Sequence, residues 1–186
     1  FKNGRQTLQE GLQEESRRLW GLWSLMHWLV EPHSNVWMYE VLVSPLGAGG
    51  IQRDWKQWKA KKAALTTTVW WDALENDSQL QSSQPALGKW MAEMQQLQIM
   101  AQQQSIQEVM EHLLEKYGLL QVALDPASQH DVLFASGLEV MERCVAQIVR
   151  ATRQAKLSFV LPYLDMSLHQ SFAVSLLHRN EPGREE

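Results

Sequence analysis

Residues 87–117 read LGKWMAEMQQLQIMAQQQSIQEVMEHLLEKY, and this stretch decides the fold class. Its Ala, Met, Leu, Gln, Glu and Lys side chains lose little freedom in a helix. Pro85 stands just before it, where a fixed φ suits the first turn, and Gly118 stands just after it, where a left-handed cap is expected. Apolar side chains recur at helical spacing through Leu87, Trp90, Met91, Met94 and Leu97. They recur again through Ile106, Val109, Met110, Leu113, Leu114 and Tyr117. The two stripes fall out of phase across Gln102, Gln103 and Gln104. Ser105 and Glu108 have capping-box spacing, so the stretch is expected to kink there or to form two helices end to end.

The segments on either side read as helices able to pack on this one. Thr7 and Glu10 form another capping-box pattern, which starts a helix running to about Val30. Leu8, Leu12, Leu19, Leu22, Trp23, Met26, Leu29 and Val30 share one face of it, while Trp20, Leu25 and Trp28 fall outside that face. Residues 19–30 are thus apolar nearly all round, yet shorter than the roughly 20 residues that a bilayer span needs. Glu31-Pro32 ends the helix. Residues 35–43 have the β-branched and aromatic content of a strand, but no second strand exists to pair with them, so a short helix is expected.

Loops are expected near 45–50 and 76–84, with a helix over 52–76 bent at Thr66, Thr67 and Thr68. Asp125 as N-cap and Pro126 as first helical residue open a helix to about Ala155. Its inner face holds Leu133, Met141, Cys144, Val145, Ile148, Thr152 and Ala155. Pro162 then separates it from a last helix over 163–178. Residues 1–6 and 179–186 are expected to fray. The expectation is an all-α single domain over 1–186, an irregular bundle of about five or six helices.

Composition bounds the chemistry. With 186 residues, 45% hydrophobic and 20% charged, the chain has globular balance and length enough for a core. A net charge of −4 demands no polyanionic partner. Cys144 is the one cysteine, so no intramolecular disulfide can form, which fits a reducing compartment such as the cytoplasm. The chain opens on Phe1, which leaves room for an upstream signal or anchor and for membrane association through it. No His has a Glu three residues before it, which removes the di-iron bundle pattern, and one Cys removes the common zinc patterns. Gly47, Gly49 and Gly50 lack the Lys-Ser/Thr of a phosphate loop. No metal and no cofactor is expected.

Three groups of residues are candidates for function. Trp20, Leu25, Trp28 and Trp37 exceed what the helix faces need for packing, and Trp is common at binding hot spots. Either residues 35–43 cover Trp20 and Trp28, or another molecule does. Arg53, Lys56, Lys59, Lys61 and Lys62 surround Trp55 and Trp58, a pattern that can bind nucleic acid or an anionic surface. Lys stems lying around a core-facing Trp pair account for it equally well. Asp165 and His169 share one side of a helix and could orient a base for Ser167 or Cys144, or form a satisfied structural pair. The leading expectation is a non-enzymatic helical adaptor or structural subunit that binds another protein or a second copy of itself through Trp20, Leu25, Trp28 and Trp37. A nucleic-acid-associated subunit using Arg53–Lys62 is the alternative, followed by a small helical enzyme at Asp165 and His169.

Overall fold

A computed structural model describes residues 16–47, 49–61 and 68–179. Ten α-helices follow one another among them, and no strand occurs among them. They are α1 (Arg17–Val30), α2 (Asn35–Val43), α3 (Gly50–Lys61), α4 (Trp70–Glu75), α5 (Leu80–Ser83), α6 (Pro85–Gln103), α7 (Ile106–Lys116), α8 (Leu119–Leu124), α9 (Gln129–Thr152) and α10 (Leu157–Arg179). The all-α class holds, while five or six helices is too few. The excess comes from α4, α5 and α8, each of six residues or fewer. Helices this short are marginal alone and are held by packing, so periodicity is a poor guide to them.

The axis of the fold is α1 rather than residues 87–117. Every residue from Leu19 to Leu29 is buried. Helices α2, α6, α9 and α10 all pack against α1. The reason lies in its composition, because a helix apolar on all sides can lose its water only when surrounded. Close approach helps. A Cβ on Gly137 of α9 would lie 2.5 Å from Leu19 Cδ2, so glycine lets the two helices cross tightly there.

Serine starts four of the helices. Ser16, Ser34, Ser105 and Ser128 each accept, through the side-chain oxygen, a hydrogen bond from the N–H three residues on. At Ser105 the capping box closes fully, since Glu108 Oε2 accepts from the Ser105 N–H at 2.8 Å. The expected break in residues 87–117 is therefore real, with α6 ending at Gln103 and α7 beginning at Ile106. Residues 35–43 form a helix, as expected.

Several boundaries differ. The Thr7–Glu10 box, Leu8, Leu12, Lys62, Thr66 and Thr67 lie outside the described residues, as does the tail from 180, while Thr68 and Val69 are not helical, so α3 and α4 stand where one bent helix over 52–76 was expected. The helix after Asp125-Pro126 starts three residues later than expected. Ser128 caps it, and Asp131 accepts from the Ala127 N–H at 3.1 Å, so this pair of side-chain bonds displaces Asp125 as the cap. The same helix stops at Thr152, because Arg153 is left-handed at φ 55°. Pro162 lies inside α10 instead of before it. The carbonyl that its missing N–H leaves free belongs to Ser158, which is exposed and can bond water instead. The 45–50 loop contains a 3₁₀ turn, Pro45–Gly47, and the 76–84 loop contains α5. Among the described residues no helix is long and apolar enough to cross a membrane.

Candidate functional site

The Trp side chains explain most of the core. Trp28, Trp71 and Trp90 form one cluster, with centroids 4.8 to 6.4 Å apart. Trp55 stacks on Trp58 at 5.6 Å and meets Trp70 at 5.0 Å. Trp37 stacks on His27 at 4.2 Å, with Trp23 edge-on to the same His27 ring and Trp20 tilted over Trp37. Such contacts each add roughly 0.5–1.5 kcal/mol beyond the area they bury. They tie α1 to α2, α4 and α6, and α3 to α4.

This corrects the expected protein-binding patch. Trp20 is 7% exposed, Trp37 4%, and Leu25 and Trp28 are fully buried within the single chain. Helix α2 provides much of the cover for Trp20, whose Nε1–H donates to Glu40 Oε2 at 2.8 Å. The four side chains hold the fold together and offer no surface to a partner.

The excess apolar surface has moved outward by one layer. Helix α2 covers α1 with Trp37, Met38, Val41 and Leu42, and presents Val36, Tyr39 and Val43 to solvent, Val36 at 64% exposure. Its sequence carried the signal, since seven of the nine residues in NVWMYEVLV are apolar and one interface accommodates only one side of a helix. Helix α10 behaves likewise. Leu157, Val160, Leu161, Leu164 and Leu168 face the core, and Phe159, Tyr163 and Met166 form an exposed row about two turns long, with Met166 at 64%. Phe159 and Tyr163 rings lie 5.3 Å apart on that surface. The i, i+4, i+7 spacing of this row is present in the sequence.

Asp165 does not pair with His169. Its Oδ1 lies 2.9 Å from His27 Nε2, joining α10 to α1 across 138 residues. His27 is buried between Trp37 and Trp23 while Asp165 is partly exposed, so the pair works as a part-buried polar clasp between α10 and α1. Cys144, the other suggested nucleophile, is buried in α9.

On α3, Arg53, Lys56, Lys59 and Lys61 are exposed, while Trp55 and Trp58 point into the core. Lys59 Nζ lies 4.6 Å from the Trp70 ring centre. The cations are therefore available, but the rings they surround are not stacking platforms for bases. One residue of this helix was not legible as functional or structural: Asp54. It is 4% exposed, and its Oδ2 accepts from the N–H groups of Ala86 and Leu87 at 2.9 and 3.3 Å. Gln84, the residue before α6, makes no side-chain cap, so Asp54 caps α6 from another helix.

No group of three or more His, Cys, Asp or Glu among the described residues is placed to hold a metal ion. No protein-family model, curated protein or solved structure matches the chain.

Proposed function

We propose that this chain is a non-enzymatic helical adaptor or structural subunit of a larger assembly, acting through protein–protein contacts on the outer faces of α2 and α10. One observation carries the reading. Of the nine large apolar side chains that stand exposed among the described residues, six lie in two rows, Val36–Tyr39–Val43 and Phe159–Tyr163–Met166. Single exposed apolar residues are ordinary, but rows on helix faces mark binding surfaces. Tyr, Phe and Met are also the types enriched at interface cores. The core-facing sides of both helices are already packed, so among the described residues packing gives no reason for the outer rows.

Photo-crosslinking tests this in the cells that make the protein. Benzoylphenylalanine is placed at Tyr39, at Tyr163, and at exposed Lys89 on α6 as control. The expected result is one specific adduct from Tyr39 or Tyr163, lost on Met166→Asp or Val36→Asp and absent from Lys89. Adducts no stronger at the two tyrosines than at Lys89 would remove the reading.

A further inference from the structure

A third apolar surface lies away from both rows. Helix α8, the Asp125–Ser128 turn and the first half of α9 enclose an open groove of about 420 Å³. Leu120, Leu124, Val132 and Leu138 make its apolar wall. Leu124 is 73% exposed and Val132 47%. Among the side chains that line it, Glu139 and Glu142 are the charged ones. The α9 side runs from Val132 through Ala135 and Ser136 to Glu139 and Glu142, one face of about three turns, or ~15 Å.

We infer that this groove docks a basic amphipathic helix of a partner protein, with apolar anchors against Leu124 and Val132 and a Lys or Arg over Glu139 and Glu142. This rests on reading the chain as a protein-binding subunit, at a surface separate from the α2 and α10 rows. The length of the α9 face matches a partner helix with anchors at i, i+3 or i+4, and i+7. The sign of the partner's charge follows from the rim. Arg143 already reaches Glu139 at 3.0 Å on the exposed side, and among the described residues no cation pairs with Glu142. Partial burial, and then the Glu139 charge, hold the Glu142 carboxyl above its usual range. A cation placed there offsets the Glu139 repulsion and favours the ionised carboxylate. A second copy fits less well, because its exposed rows carry Glu40 on α2 and Asp165 on α10 and would bring like charges together.

The probe is a fluorescein-labelled peptide of Leu and Lys in amphipathic helical order, about five turns long. A Leu/Glu peptide of the same spacing is the comparison. Both are titrated into the full chain by anisotropy, with amide NMR shifts to locate the contact. The expected result is saturable binding of the Leu/Lys peptide, with shifts concentrated in residues 119–142. E139Q/E142Q should weaken it about threefold to tenfold, as two partly exposed ion pairs would. Leu124→Ser/Val132→Ser, which alters only exposed or half-exposed side chains, should abolish it. Equal binding of the Leu/Glu peptide, or unchanged affinity in both double variants, would overturn the inference. So would shifts centred on α2 and α10, which would leave the proposed function standing. Concentration-dependent self-association lost in Leu124→Ser/Val132→Ser would assign the groove to a second copy instead. Shifts in residues 1–15 on making that variant would assign it to this chain's own segment.

Discussion

Removing the Asp54 carboxylate should destabilise a helix to which Asp54 does not belong. Its Oδ2 accepts two N–H groups at the start of α6, those of Ala86 and Leu87. Loss of an N-cap acceptor costs about 1 kcal/mol, and up to about 2 in proteins. Leaving a buried donor unpaired adds about 1–3 kcal/mol, and the Leu87 N–H is buried. Asp54→Ala should therefore destabilise the chain by about 3 kcal/mol. At roughly 2–4 °C per kcal/mol for a chain of this size, that is a fall in Tm of about 9 °C. Asp54→Asn keeps an acceptor and loses the charge that faces the positive end of the helix dipole, so it should cost about 1 kcal/mol. Urea unfolding followed by Trp fluorescence gives both values, and amide exchange at Ala86 and Leu87 shows where the loss falls. An Asp54→Ala effect below about 0.5 kcal/mol, within the range of ordinary surface substitutions, would refute the capping argument. So would an Asp54→Asn variant as unstable as Asp54→Ala.

Other outcomes follow from the same geometry. A Cβ on Gly47 would sit 2.5 Å from the Leu42 carbonyl oxygen, a backbone atom that cannot swing away, so Gly47→Ala should destabilise by about 1–3 kcal/mol in urea titrations. The Arg18 guanidinium hydrogen-bonds Asp131 and holds its carboxyl below the usual range. That contribution is present above the unfolded pKa and is lost as pH falls through the depressed folded value. Arg18→Gln should thus lower Tm at neutral pH, with the gap to wild type narrowing in acid, and a gap independent of pH would count against the pairing. Glu142 has the opposite sign: its raised folded pKa favours the folded state at low pH, and the advantage is lost as pH rises through that value. Glu142→Gln should raise Tm at about pH 7 and leave it near wild type at about pH 3.5, when compared by calorimetry.

What could be read from sequence was what local chemistry controls. The Ser105–Glu108 box predicted where residues 87–117 would break, because both of its side-chain bonds close within one turn. The middle of the inner face of α9 followed from spacing, with Met141, Cys144, Val145 and Ile148 buried, but its first turns bury Phe134, Gly137 and Leu138 where Leu133 was expected, and Ala155 lies past its end. Remote cover could not be read in this way. Periodicity shows that Trp20 and Trp28 lie off the main face of α1, but a helix wheel has no term for what packs there. Here α2 takes one side, with Trp71 of α4 and Trp90 of α6 on the other. Asp54 and His27 were missed for the same reason, since their partners lie 32 and 138 residues away. Pro162 misled because the cost of a helical proline depends on whether the freed carbonyl meets water. That is a property of the folded surface.

The candidate interface moved because burial is settled only in three dimensions. An apolar excess was visible at residues 19–43, and it is real. Once α2 had folded over α1, the excess emerged as Val36, Tyr39 and Val43 on the outside of the cover. Reading 35–43 as a helix contained this result, since seven apolar residues in nine exceed what one contact face can hold.

Hydroxyl-radical footprinting read by mass spectrometry tests the central claim most directly, comparing the isolated chain with the chain in its native assembly. The account predicts fast oxidation of Tyr39, Tyr163 and Met166 in the isolated chain and protection of the same residues in the assembly, with Trp20 and Trp28 protected in both. Rapid oxidation of Trp20 and Trp28 in the isolated chain, with their protection on assembly, would return the interface to α1 and contradict the account.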